Sequence, residues 1–256
     1  NKNFRFTVTT NGMLLDEDKM DFINKEMSNV VLSVDGRKEV NDRVRKRIDG
    51  KGCYDRIMPK YKELVEKRHH ENYYVRGTFT KYNLDFANDV YSLYDNGFDQ
   101  ISVEPVVSDP SMPYALTERD LPKIFSEYER LAQMMLINDK QGKHFNFFHF
   151  MLDLDQGPCA IKRLRGCSSG NEYVAVTPEG DIYPCHQFVG DEKFKLGDIW
   201  HGVENKEIQN EFASCNVYAR SECRDCWARL YCSGGCAANA YHSTGSVTGV
   251  YKYGCE

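Results

Sequence analysis

The chain has 256 residues, 41% of them hydrophobic and 28% charged, with a formal net charge of −5. That length suits one large domain or two modest ones, and the balance is that of an ordinary globular chain. The acidic excess argues against nucleic acid as a partner, and no apolar run approaches a membrane span, so no membrane partner is expected either.

The chain opens at Asn1, without Met, and runs directly into Phe4-Arg5-Phe6-Thr7-Val8-Thr9, which reads as a strand; the expectation is that a further segment precedes it. Thr10-Asn11-Gly12 is a turn signal, Asp16–Met27 a helix with an acidic first turn, and Val30–Val34 a short apolar strand closed by Asp35-Gly36. Tyr54–His70 has a helical pattern with Pro59 near a first turn or kink. Tyr73–Thr80 is a β-branched and aromatic strand, Leu84–Asn96 a helix closed by Gly97, Ile101–Val107 a Val-rich strand, and Thr117–Asp139 the longest helix. Four strands alternating with helices predict an α/β unit with parallel pairing through right-handed crossovers. Ligands of such sheets gather at the carboxyl ends of the strands, which places Thr10-Asn11, Ser33–Asp35 and Glu104–Val107 near a candidate site.

The later part has little regular pattern. Glu172–Val176 and Asp181–Tyr183 flank Thr177-Pro178-Glu179-Gly180 and predict a hairpin; Asn205–Phe212 and Ala237–His242 predict short helices. Nine of the ten cysteines lie here: Cys159, Cys167, Cys185, Cys215, Cys223, Cys226, Cys232, Cys236 and Cys255, against Cys53 alone before them. So uneven a distribution marks two kinds of domain, and a segment with few long apolar elements needs a staple such as metal ligation. Cys223, Cys226, Cys232 and Cys236 stand close enough in sequence to converge on one inorganic centre, with Gly234-Gly235 letting backbone pass near it. A disulfide scaffold would need an oxidising compartment, whereas the cysteine-poor first part reads as intracellular, so a cytoplasmic location is expected. Four-cysteine zinc and iron–sulfur clusters both fit the local spacing, which does not separate them.

The full pattern is Cys167-x12-Gly180-x4-Cys185, then Cys223-x2-Cys226-x5-Cys232-x3-Cys236, then Cys255. It resembles the seven-cysteine SPASM pattern of radical S-adenosylmethionine (SAM) peptide-modifying enzymes. The first part fits the resemblance: Thr10-Asn11-Gly12 and Ser33-Val34-Asp35-Gly36 are similar to loops at strand ends of the radical SAM partial barrel, and Asn41-Asp42-Arg43-Val44-Arg45 to a segment whose last arginine sits near the SAM carboxylate. Within the family, Cys226-Trp227-Ala228-Arg229-Leu230-Tyr231-Cys232-Ser233-Gly234-Gly235-Cys236 looks most like the maturases of six-cysteine (SCIFF) peptides, as do Tyr74-Val75-Arg76-Gly77-Thr78 and Gly254-Cys255-Glu256. One departure is large: the Cys-x3-Cys-x2-Cys motif that holds the SAM-cleaving cluster in that family does not occur in these 256 residues.

The resemblance implies the later part of a radical SAM partial (β/α)6 barrel over residues 1–150 and an irregular SPASM domain over 151–256. It implies two auxiliary [4Fe–4S] clusters, one on Cys167, Cys185 and Cys236 with Cys159 as the candidate fourth ligand, the other on Cys223, Cys226, Cys232 and Cys255. A further cluster is expected in a preceding segment. If Cys159 does not bind, an open iron would be left for a substrate thiolate. SAM contacts fall to Asn11, Ser33, Arg45 and Arg76, since a guanidinium fork suits a carboxylate. The implied activity joins a cysteine sulfur to the α-carbon of another residue in a ribosomally made, cysteine-rich precursor peptide. Its implied electron donor is a reductase, flavodoxin or ferredoxin. Anaerobic sulfatase-maturating enzymes share the domain but carry an acidic base after the cysteine matching Cys185; His186 stands there instead and is the candidate catalytic residue.

Each assignment has a plainer alternative. Ser33 and Asp35 also make a polar turn, Arg43–Arg47 a solvated basic face, and Arg76 an edge-strand charge. His186 also suits hydrogen bonding to a cluster without proton transfer. Cys53 and Cys215 read as non-ligand thiols, His69-His70 as an exposed helix end, and Phe145, Phe147, Phe148 and Phe150 as core or interface. A zinc-stabilised peptide-binding module is the non-enzymatic alternative.

Overall fold

The computed structural model describes residues 3–109, 111–152 and 164–255; Cys159 therefore lies outside the described residues. The chain forms two compact units, Asn1–Met151 and Leu152–Glu256.

The first unit is a five-stranded, all-parallel sheet in which each strand pairs with the next: β1 (Thr7–Thr10), β2 (Asn29–Ser33), β3 (Tyr73–Phe79), β4 (Gln100–Pro105) and β5 (Asn146–Phe147). Helices α1 (Glu17–Glu26), α2 (Lys38–Val44), α3 (Tyr54–Lys67), α4 (Ala87–Asp95) and α5 (Leu121–Asp139) fill the crossovers. Parallel strands need such long connections, and sequential strand order is what a barrel-like winding produces. Asp16 caps α1 through its side chain, which accepts from the Lys19 amide, and Glu17 and Asp18 complement the helix dipole. The buried stripe of α3, Ile57, Met58, Tyr61, Leu64 and Val65, follows helical periodicity, and on the strands Val30, Leu32, Val75, Ile101 and Val103 are fully enclosed.

Several boundaries differ from the sequence reading, among them β1, which begins at Thr7, and α4, which begins at Ala87; two others have a plain cause. α3 ends at Lys67, not His70, because His69 and His70 take the left-handed region (φ 55° and 59°) and stop the helical path. β4 ends at Pro105, which has no N–H to donate further along the ladder. The fifth strand, only two residues long, lies inside the aromatic run, where Phe147 is enclosed and Phe148 is exposed. Among the described residues, no helix is long and apolar enough to cross a membrane.

The second unit holds a four-stranded antiparallel sheet of two- and three-residue strands: β6 (Ala175–Val176), β7 (Asp181–Tyr183), β8 (Gly197–Asp198) and β9 (Gly202–Val203). β6 and β7 form the expected hairpin, its turn closed by the Gly180 amide donating to the Thr177 carbonyl at 2.9 Å. Helices α6 (Lys206–Ser214), α7 (Arg229–Cys232) and α8 (Ala237–Thr244) follow. A small cluster of Tyr183, Phe188, Phe194, Leu196, Ile208, Phe212 and Val247, with Cys185 among them, is this unit's core.

Candidate functional site

In the first unit, β3 alternates strictly: Tyr73, Val75, Gly77 and Phe79 are buried, while Tyr74, Arg76 and Thr78 occupy the opposite, partly open face. Register puts Ser33, Arg76 and Ser102 side by side on three neighbouring strands, with Thr78 beside Glu104 one step further on. The result is a polar row toward the carboxyl ends of β2–β4. Arg76 grips Glu104 in a bidentate pair, Nε to Oε1 at 3.0 Å and Nη2 to Oε2 at 2.6 Å, and the Ser102 hydroxyl donates to Oε1 at 3.0 Å. Burial pushes the Glu104 carboxyl up, but the Arg76 fork and the Ser102 hydroxyl outweigh it and hold the group below its ordinary value. His149 lies close enough to feel both charges and shares a 2.8 Å hydrogen bond between its Nδ1 and the Tyr128 hydroxyl. Burial is the largest influence on His149 and depresses its basicity.

The loop after β2 is held by two arginines. Arg45 reaches Asp35 with Nε to Oδ2 at 2.7 Å and Nη2 to Oδ1 at 2.8 Å, and the Thr78 amide donates to Oδ1 at 3.0 Å. Arg37 pairs with Asp85 and with the fully enclosed Asp89. Backbone comes so close here that a Cβ on Gly77 would stand 2.5 Å from the Val34 carbonyl oxygen, so β3 requires glycine at that point. The buried Tyr61 hydroxyl lies 3.1 Å from both the Thr10 and the Ser33 carbonyl oxygens, tying the ends of β1 and β2 together. Asn11 accepts from the Met13 amide at 3.2 Å in a side-chain turn.

Asn11 and Ser33 sit at the carboxyl ends of β1 and β2; Arg45, just after α2, reaches that end through Asp35, and Arg76 lies midway along β3 beside Ser33. Both arginine forks are engaged by carboxylates of the chain itself, Arg45 by Asp35 and Arg76 by Glu104. Sequence reasoning did not single out Ser102, Tyr128, His149 or Tyr61. The i, i+2 placement of Ser102 and Glu104 in a strand was a readable sign for one of them; the others come from distant helices and loops.

In the second unit the thiols fall into two neighbourhoods. Burial raises the Cys185 thiol, and the nearby Cys236 and Cys167 raise it further. Cys255, exposed at the surface, is raised by partial desolvation of its thiol and by its electrostatic neighbours Cys223, Cys232, Cys226 and Glu222. Left-handed residues shape the approaches: Gly166 and Ser168 flank Cys167, and Ser233, Gly234 and Gly235 run consecutively at φ 61°, 80° and 78° to turn the chain between Cys232 and Cys236. Among the described residues, no three His, Cys, Asp or Glu side chains converge closely enough to hold a single metal ion. A [4Fe–4S] cluster takes one thiolate per iron. The second neighbourhood supplies Cys223, Cys226, Cys232 and Cys255, and the first supplies Cys167, Cys185 and Cys236 with the buried Cys215 beside them, so the donor chemistry fits such clusters. His186 is exposed and opens a short 3-10 turn through Phe188, directly after buried Cys185. Cys53 is buried beside Asn41, whose Nδ2 lies 3.5 Å from its sulfur. Cys215 is buried and donates to the Val247 carbonyl at 3.1 Å.

Comparison with known proteins bears on both units. The SPASM family, an iron–sulfur cluster-binding domain, matches residues 167–227. The structure of native anSMEcpe with bound AdoMet superposes with a TM-score of 0.74 at 22% identity, covering 98% of this chain and 70% of that one. The chain has the radical SAM/SPASM fold. Streptococcus suis SuiB bound to S-adenosylmethionine shares it at a TM-score of 0.58 and 19% identity, over 95% of this chain and 58% of that one. By sequence, the cysteine-type anaerobic sulfatase-maturating enzyme of Clostridium novyi is 25% identical over 93% of this chain and 65% of its own length. The chain spans 61% to 65% of the length of the curated relatives it matches. The resemblance to radical SAM/SPASM peptide maturases read from the cysteine pattern stands, and the parallel sheet followed by a cysteine-rich unit is the radical SAM/SPASM arrangement.

Proposed function

We propose that this chain is part of a radical SAM enzyme that modifies a ribosomally made, cysteine-rich peptide by joining a cysteine sulfur to the α-carbon of another residue. Residues 1–150 would serve as the barrel portion and 151–256 as the SPASM domain. The observation that carries the reading is the pairing of two separate thiol neighbourhoods with a polar row at the carboxyl ends of a parallel sheet. Cys223, Cys226, Cys232 and Cys255 would hold one [4Fe–4S] cluster; Cys167, Cys185 and Cys236, with Cys159, the other. Bound SAM and iron–sulfur clusters supply the radical and electron chemistry. The chain's own residues bind, orient and exclude water.

Asn11, Ser33 and Arg45 would border SAM, and Arg45 would turn part of its fork from Asp35 to the ligand carboxylate. Arg76, locked to Glu104, would present a fixed polar wall to SAM and peptide. His186 is proposed to act beside the Cys185 cluster, as a proton acceptor or by hydrogen bonding. The peptide and a flavodoxin, ferredoxin or reductase donor are the proposed partners.

The second reading is formylglycine formation, favoured by the sulfatase-maturating relatives. His186, in place of an acidic residue, speaks for the thioether. Mass spectrometry of a cysteine-containing peptide incubated with the full-length protein separates the two. Thioether formation removes two hydrogens, retains sulfur and abolishes one alkylatable thiol. Formylglycine formation from cysteine removes the sulfur. Full-length protein that lacks iron and acid-labile sulfide after anaerobic reconstitution defeats both; zinc in their place would support the binding module.

A further inference from the structure

Arg220 is the largest fully enclosed side chain among the described residues, only 2% exposed. Its Nε donates to the Gly249 carbonyl at 3.0 Å, and its Nη2 to the Val247 carbonyl at 2.8 Å and to the Cys215 sulfur at 3.1 Å. Among the described residues, no carboxylate pairs with it, in contrast to Arg37, Arg45, Arg76 and Arg130, each of which has one. A guanidinium withdrawn from water without a counter-charge is expensive, and two carbonyls and a thiol leave its charge uncompensated.

The surroundings show where the counter-charge comes from. A Cβ on Gly234 would lie 2.6 Å from the Arg220 Nη1, so the guanidinium rests against the left-handed turn joining Cys232 of one thiol neighbourhood to Cys236 of the other. The Cys223 amide donates to the Arg220 carbonyl at 3.1 Å, which ties the residue to the second thiol set, while its Nη2 reaches the Cys215 sulfur. Arg220 therefore stands at the seam of the two sets. An oxidised [4Fe–4S] core carries two positive charges and its four thiolates four negative ones, leaving a surplus of two negative charges per cluster.

We propose that Arg220 is the built-in counter-cation of the auxiliary clusters, a positioning residue that raises the reduction potential of the cluster on Cys223, Cys226, Cys232 and Cys255 and so favours electron uptake there. The inference rests on the iron–sulfur reading above. One-electron reduction converts the oxidised core to the core with one positive charge and adds one negative charge to the site. A fixed buried cation stabilises that product more than the reactant.

The test is an anaerobic redox titration of the reconstituted chain, with dithionite as electron source and electron paramagnetic resonance of the reduced clusters as readout. It compares the unaltered chain with Arg220→Gln and Arg220→Lys. Iron and sulfide content are measured on each. Absence of both from the unaltered chain would defeat the iron–sulfur reading itself, separately from this proposal. The expected result is full cluster content with a potential shifted to more negative values in Arg220→Gln, and an unshifted potential in Arg220→Lys. Equal potentials in the Gln variant and the unaltered chain, with clusters retained, overturn the proposal. If Arg220→Gln does not assemble, the neutral Arg220→Met variant is read in its place: a potential shifted to more negative values supports the proposal, and a potential equal to that of the unaltered chain overturns it.

Discussion

The two units solve the stability problem by different means. The sheet unit encloses one apolar face of its parallel strands, with Val30, Leu32, Val75, Ile101 and Val103 fully removed from water, and leaves the other face partly open. The cysteine-rich unit has strands of two or three residues and one compact cluster around Phe188, Phe194, Leu196 and Phe212. Burial scales with element length, so short strands cannot by themselves offset the backbone entropy of ordering them. The proposed metal–thiolate bonds would take over that part, and Arg220 is buried between the two thiol sets, whereas Asp89 and Asp35, buried charges of the sheet unit, are matched by Arg37 and Arg45 within the protein.

The contrast can be broken most directly by removing metal. Chelation of the reconstituted protein, or Cys226→Ser with Cys232→Ser, is expected to abolish hydrogen-exchange protection in the described residues after Leu164 while the β1–β4 amides stay protected. Equal loss in both units would show that the sheet also depends on the clusters. Arg37→Ala comes next. It strands the Asp89 carboxyl, which burial pushes above its ordinary value against the pull of Arg37 and Asn83, and is expected to cost about 3 kcal/mol in urea unfolding of the sheet unit.

A smaller effect belongs to Asn205, whose side chain caps α6 by accepting from the Ile208 amide at 3.1 Å. Asn205→Ala should cost about 1 kcal/mol, visible chiefly in the metal-free protein, where no thiolate bonds mask it. The smallest is a pH effect. His149 is held below its ordinary value of 6.5 by burial, so its contribution to stability is present above that value and is lost as pH falls through the lowered folded value. The unfolded chain takes up the proton first. His149→Gln should flatten the fall of the urea midpoint between neutral and mildly acidic pH, without touching the cysteine-rich unit.

Much of the sheet was readable because its signals are local. Period-two alternation in Tyr73–Phe79, turn residues after β1 and β2, and the Asp16 cap each lie within a few residues of what they control. β5 escaped because two residues are too few to show a period. The cysteine spacing, through its resemblance to a known pattern, divided the ligands into two sets; spacing alone left zinc and clusters open.

By itself, then, the sequence determined the α/β order of the first part and the concentration of thiols in the second, since these follow from side-chain type and near-neighbour spacing. Only the tertiary structure decided which charges meet. Arg45 with Asp35, Arg76 with Glu104, and Arg37 with Asp89 join different elements, and Arg220 owes its burial to segments Cys215, Gly234 and Val247–Gly249 closing around it. Such pairings depend on register and crossover geometry, which place residues side by side irrespective of their separation along the chain.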